Sequence, residues 1–121
     1  MRLLKDLPPE PVRVTYDVFL FERALVNLID NAIDASTRGQ TVVIAAIPGL
    51  ESVMIGVKDQ GSGMDKETLD SVFLPFYTKK MNGTGVGMAI IKKIIEEHGG
   101  TIRMESRPGR GTRIKVYLPY Q

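Results

Sequence analysis

Cysteine is absent from the chain, and histidine occurs once. The first absence removes disulfide frameworks and thiolate metal sites, and it says nothing about compartment. The second rules out a His-rich metal centre or a histidine-based triad with a further histidine to spare. No apolar run approaches the ~20 residues that span a bilayer, and the start lacks the pattern of a signal peptide. Internal repeats and low-complexity tracts are also missing. Charge is nearly balanced, with 16 basic against 14 acidic residues and a net +2. The cations that gather late, Arg103, Arg107, Arg110, Arg113 and Lys115, fall at alternate or turn positions of a predicted hairpin. They read as a solvated sheet face rather than a nucleic-acid groove. What is present is ordinary for one domain: 121 residues, 43% hydrophobic and 25% charged, enough to bury a core without staples.

In chain order, residues 1–11 carry three prolines and no periodicity, and read as a leading segment or the remnant of a linker; the domain proper is expected over 12–121. Val12 to Thr15 alternates and suits a short edge strand. Asp17 is placed to cap a long helix running to about Ser36. Phe21, Leu25, Leu28 and Ala32 give that helix a buried stripe. Another of its faces carries Arg23, Asn27, Asp30, Asn31 and Asp34. Such a face is either solvated or turned to a ligand. Asparagine is a mediocre helix former, and two asparagines one turn apart favour the ligand.

Thr41 to Ile47 and Val53 to Val57 are two strands joined through Pro48-Gly49, most simply a hairpin. Asp59 ends the second and runs into Gly61-Ser62-Gly63, where a carboxylate either caps a turn or faces a ligand. Asp65 is predicted to cap a short helix over Lys66 to Val72. Ala89, Ile90, Ile91, Ile94 and Ile95 form the apolar side of a later helix, with Lys92, Lys93, Glu96 and Glu97 on its wet side. His98 near that helix's end is explained by the dipole and the exposed carbonyls. Thr101 to Ser106 and Arg113 to Leu118 make a second hairpin, with Ile102, Met104, Ile114, Val116 and Leu118 inward. The predicted class is α+β, a two-layer sandwich whose mixed, mostly antiparallel sheet is covered on one face by helices.

The stretch from Phe73 to Gly87 organises the rest. Gly83, Gly85 and Gly87 alternate directly before a helix, offering unblocked backbone N–H groups and the positive end of a dipole to an anion. Lys79 and Lys80 can add charge, and Phe73 and Phe76 can anchor the segment. Glycine runs also serve plain turns, so this stretch alone does not decide. Familiar phosphate motifs do not fit. No Gly-Lys pair exists for a P-loop, Lys66 stands where a dinucleotide fingerprint needs its third glycine, and the HRD and DFG motifs of eukaryotic-type kinases are missing.

Four blocks in fixed order carry more information than any one: LVNLIDNAIDAS from Leu25, DQGSGM from Asp59, FLPFYTKK from Phe73 and NGTGVGMAI from Asn82. They resemble the N, G1, F and G2 boxes of the catalytic ATP-binding domain of bacterial sensor histidine kinases. That domain shares its Bergerat-type ATP-binding fold with gyrase B, Hsp90 and MutL. The tail from Glu97 to Pro119 is similar to the end of the same domain. The resemblance implies roles residue by residue. Asn31 matches the magnesium ligand, an oxygen donor suited to a hard cation, and Asn27 the second asparagine beside the phosphates. Asp59 matches the acceptor of the adenine amino group, with Gly61 and Gly63 letting the base approach, and Thr112 a threonine nearby. Phe76, Gly83, Thr84, Gly85, Val86 and Gly87 match the lid and helix start that wrap the nucleotide, and Lys79 or Lys80 would act on the phosphates.

Two departures matter. Asp34 stands where many histidine kinases have a basic residue, which throws the phosphate contact onto the lysines. Asn27 stands where gyrase-like hydrolases have a glutamate base, and an amide cannot take a proton from water at neutral pH. The resemblance thus implies a protein histidine kinase domain that binds ATP and Mg²⁺. It would present the γ-phosphoryl group to a histidine on a helical dimerisation domain and so serve a response regulator receiver domain. His98 does not suit that acceptor role. The chain reads as one monomeric, cytoplasmic domain of a larger kinase, without direct contact to membrane or nucleic acid. An anti-sigma-factor-type serine kinase or a nucleotide-sensing module of the same superfamily are the alternatives; the first usually has a glutamate at the Asn27 position.

Overall fold

The computed structural model describes residues 2–6, 18–37, 39–74 and 87–120, with backbone alone at 2–6, 18–21 and 87. The elements are β1 (Arg2–Asp6), α1 (Val18–Ala35), β2 (Thr41–Pro48), β3 (Ser52–Lys58), α2 (Lys66–Ser71), α3 (Gly87–Glu97), β4 (Thr101–Ser106) and β5 (Thr112–Pro119). The strands form one sheet in the order β1-β2-β3-β5-β4. β1 runs parallel to β2, and every other pairing is antiparallel. This is the predicted α+β arrangement, with two hairpins and a mixed sheet.

Register explains the layering. Ile44 lies opposite Val57, Val57 opposite Ile114, and Ile114 opposite Met104. Because strand side chains alternate in direction, this row and its parallel rows through Ile55, Val116 and Ile102 share one face. That face meets the helices: α1 packs on β3, α2 and α3 on β4, and α1 on α3. Leu28, Ile91, Ile95, Leu118, Val42 and Val116 are the largest fully buried side chains, each worth roughly 1.5–3 kcal/mol of apolar transfer.

The helices differ in detail from the sequence expectation. The buried stripe of α1 is Ala24, Leu28 and Ala32; Leu28 and Ala32 were predicted, Leu25 lies half-buried at the flank, and the Phe21 side chain lies outside the described residues. In α3 the buried residues are Ile91, Ile94 and Ile95, whereas Ile90 is 46% exposed. α3 ends with the N–H of Gly100 on the Ile95 carbonyl at 2.9 Å and the N–H of Gly99 on the Glu96 carbonyl at 3.0 Å. Gly99 has φ +79°, so this is a Schellman stop. His98 Nδ1 lies 2.7 Å from the Ile94 carbonyl, the helix-end role predicted for it. α2 is capped as expected, its Thr68 N–H donating to Asp65 Oδ1 at 2.7 Å.

The opening contributes a strand, β1, where none was predicted. Its residues Arg-Leu-Leu-Lys-Asp do not alternate, and the pairing is to a distant partner, β2. The proposed strand over Val12 to Thr15 and the Asp17 cap lie outside the described residues. The late cations do line the outer face of the second hairpin: Arg103 and Arg113 are exposed, and Lys115 Nζ meets Glu105 at 3.6 Å.

Candidate functional site

The geometry is built around the end of β3. Asp59 continues the ladder by donating its N–H to the Thr112 carbonyl at 2.9 Å. Its side chain then folds back. Oδ1 accepts the Gly61 N–H at 2.9 Å and the Thr112 N–H at 3.2 Å. Asp59 is only 5% exposed. Burial raises its pKa above the ordinary carboxylate value, and the two backbone N–H groups oppose the rise. A carboxylate held in this way is both the turn cap and a poised acceptor, because Oδ2 receives no hydrogen bond from the described residues.

The loop after Asp59 is pinned on both sides. A Cβ at Gly61 would run into the Ala35 carbonyl at the end of α1, and one at Gly63 into the Arg107 carbonyl. Gly63 also has φ +68°, which a side chain resists. These glycines therefore serve close packing of backbone on backbone, a reason the sequence did not disclose. The Gly109 N–H donates to the Ser62 carbonyl at 2.7 Å, and the Met64 N–H donates to Ser106 Oγ at 2.8 Å. The β4–β5 turn is thus stitched to the Asp59 loop.

Asp59, Ser106, Gly111 and Thr112 line an open cleft of about 520 Å³, with Leu69 and Met104 as its apolar lining and Lys58, Glu105, Arg107, Arg110 and Arg113 as its charged lining. The volume falls within the range of small-molecule sites.

On α1, Asn27 and Asn31 are half-buried, one turn apart, while Asp34 is exposed. The Asn31 amide Nδ2 donates to the Met88 sulfur at 3.1 Å, joining α1 to the first turn of α3. Asn31 thereby presents its carbonyl as the other pole of the amide, an oxygen of the type that magnesium takes. Ala35, against which Gly61 packs, lies one turn further along the same helix. α1 therefore links the helix start at Gly87 with the Asp59 loop. Lys92 Nζ of α3 sits 5.4 Å above the Phe73 ring. Phe76, Lys79, Lys80, Gly83, Thr84, Gly85 and Val86 lie outside the described residues. Gly87 is the first residue of α3.

Ser106 and Met88 were not singled out from the sequence. Ser106 did carry a signal, being polar at the position where Ile102 and Met104 set an apolar alternation. The described residues contain no group of three or more His, Asp or Glu side chains able to hold a metal. They also include no helix long and apolar enough to cross a membrane.

Known proteins share this fold. Residues 16–121 match the family of histidine kinase-, DNA gyrase B- and HSP90-like ATPases. The chain is 38% identical over 112 residues to the sensor histidine kinase ZraS of Klebsiella oxytoca, covering 92% of this chain and 24% of that protein. It is 38% identical over 98 residues to sporulation kinase C of Bacillus subtilis, covering 81% of this chain and 23% of that one. The chain thus spans about a quarter of the length of these relatives. A solved catalytic domain of the histidine kinase ThkA superposes with a TM-score of 0.87 at 32% identity, covering 98% of this chain and 78% of that domain. Fold and sequence agree: the chain belongs to the histidine kinase-, gyrase B- and HSP90-like ATPase family, on its histidine kinase catalytic-domain branch.

Proposed function

We propose that this chain binds ATP with Mg²⁺ and presents the γ-phosphoryl group to a histidine on a separate helical dimerisation domain, from which a response regulator receiver domain is then served. The observation that carries the reading is Asp59: buried, fixed through Oδ1, and with Oδ2 receiving nothing from the described residues. Such an oxygen suits the exocyclic amino group of adenine, a donor, and Thr112 stands beside it. Asn31 would hold Mg²⁺ through its side-chain oxygen, with Asn27 near the phosphates. Lys79, Lys80, Phe76 and the segment from Gly83 to Gly87 would wrap them. Magnesium would neutralise charge on the phosphate oxygens.

The division of labour follows from chemistry. Phosphoryl transfer depends on positioning and on electrostatic stabilisation rather than on covalent work by the protein. Asn27 offers no base to activate water, which favours transfer to a presented side chain over hydrolysis. The domain would work on the cytoplasmic side as a monomer, with dimerisation supplied elsewhere. Calorimetric titration of ATP with and without Mg²⁺ tests binding, and adding a dimeric helical domain with radiolabelled ATP tests transfer. Binding without transfer would leave a nucleotide-sensing module. Absence of binding would overturn the reading.

A further inference from the structure

The Ser106 hydroxyl has three neighbours. It accepts the Met64 N–H at 2.8 Å, donates to the Gly111 carbonyl at 3.0 Å, and lies 2.8 Å from Thr112 Oγ1. A serine hydroxyl has one hydrogen and two lone pairs. With the hydrogen on the Gly111 carbonyl and one lone pair on Met64, a single lone pair is left for Thr112. Turning the hydrogen away from the Gly111 carbonyl would give up that hydrogen bond. The arrangement that keeps all three contacts has Thr112 donating to Ser106, and its own hydroxyl then keeps only lone pairs for anything else.

Asp59 lines the same cleft. Its Oδ1 is used by two backbone N–H groups, and Oδ2 is an acceptor. On their wall the side chains of Asp59 and Thr112 then show acceptors alone, in a cleft that Lys58, Arg107, Arg110 and Arg113 also line. We propose that Ser106 is a positioning residue that fixes the Thr112 hydroxyl as an acceptor, so that this wall selects a purine with an amino group at C6 over one with a carbonyl there. The inference rests on the nucleotide-binding reading above and deepens it. A C6 amino group brings hydrogens to two acceptors. A C6 carbonyl brings an acceptor instead, so the contact at C6 turns repulsive even where the neighbouring N1–H of a 6-oxopurine reaches the carboxylate. Removing Ser106 frees the Thr112 hydrogen to turn toward a carbonyl, relaxing the selection.

The test is the ratio of ADP to IDP affinity, measured by calorimetry on the whole chain with circular dichroism confirming the fold of each variant. In wild type ADP binds the more tightly. Ser106→Ala is expected to lower the ADP:IDP affinity ratio at least five-fold, partly through tighter IDP binding, while Ser106→Thr holds it within two-fold. Should Ser106→Ala fail to fold, Ser106→Cys keeps the volume and weakens the hydrogen bonding, and the same fall is expected. In a Thr112→Val background, Ser106→Cys should leave the ratio unchanged, because the hydroxyl it orients is gone. An equal loss for both nucleotides, or an unchanged ratio in the Ser106 variants, means a purely structural serine and overturns the inference. Wild type binding both nucleotides equally overturns it while sparing the nucleotide site; wild type binding neither overturns the nucleotide site first and this inference with it.

Discussion

The side-chain amide of Asn31 donates to the thioether of Met88 at 3.1 Å, and this contact aims the one residue expected to meet magnesium. Leucine at position 88 would fill a similar volume without an acceptor, a swap that cores tolerate well. Met88→Leu is therefore expected to weaken the magnesium-dependent part of nucleotide affinity by about 0.5–1.5 kcal/mol, the usual worth of a hydrogen bond. Binding of nucleotide without metal should change little. Calorimetry with Mg²⁺ and with a chelator separates the two, and equal losses in both would remove Asn31 orientation from the account.

Asp59→Asn should separate stability from binding. An asparagine carbonyl can still accept from Gly61 and Thr112, so the loop stays closed. Because burial raises the folded pKa of Asp59 above its ordinary value, the folded chain holds more protons than the unfolded one between ~4 and that raised value. Stability contributed by this group is therefore lost as pH rises through the window, and the variant should be no less stable than wild type at neutral pH. Nucleotide affinity, in contrast, should fall by about 1–3 kcal/mol with the loss of a charged acceptor. Wild-type affinity should also decline on acidification from a higher pH than an ordinary carboxylate would give, and the variant should lose that component. Urea unfolding and nucleotide titration across pH check both halves.

Much of this was legible from local pattern. The alternation of Ile114, Val116 and Leu118 and the Asp65 cap are short-range signals, and they gave strands and a helix in the right places. Asp59 was legible as a carboxylate at a strand end shortly before Gly61-Ser62-Gly63, where one of the two readings, the turn cap, is what its Oδ1 makes. Three features were not. β1 is set by a parallel partner distant in sequence, which its own five residues do not announce. Ile90 reads as core in a run of isoleucines, yet it falls in the first turn of α3 and is 46% exposed. Gly61 and Gly63 looked like space for a base, when each is needed because a carbonyl of another element lies where its Cβ would be.

The glycines make a graded prediction. Gly63, Gly109 and Gly111 all have positive φ, at +68°, +75° and +77°. A Cβ at Gly109 meets nothing within 4 Å, whereas at Gly63 and Gly111 it overlaps the carbonyls of Arg107 and Asp59. Gly109→Ala should cost only the left-handed strain, roughly 1–2 kcal/mol. Gly63→Ala and Gly111→Ala should cost more than that, since backbone must shift as well, and both should also lower nucleotide affinity by displacing the Asp59 loop. Denaturant unfolding of the three variants gives the ranking; a Gly109 variant as damaged as the others would contradict it.

The isolated chain should bind ATP with magnesium and yet fail to label itself. Its only histidine is His98, held by Nδ1 to the Ile94 carbonyl at the end of α3. The helix start that faces the phosphates in the proposed site is Gly87, and α3 runs 11 residues to Glu97. At 1.5 Å per residue that helix is about 16 Å long. A phosphoryl acceptor must come within roughly 3–3.5 Å of the reacting atom and in line with the leaving group. His98 is therefore at the wrong end of the helix by several times the permitted distance, and Asn27 supplies no base for water to take its place. Incubation with radiolabelled ATP should leave the chain unlabelled and release phosphate slowly, while a dimeric helical domain added in trans should acquire label. His98→Gln should leave that transfer unchanged. Label on His98 in the wild-type chain alone would show that the phosphate end of the nucleotide does not lie at Gly87.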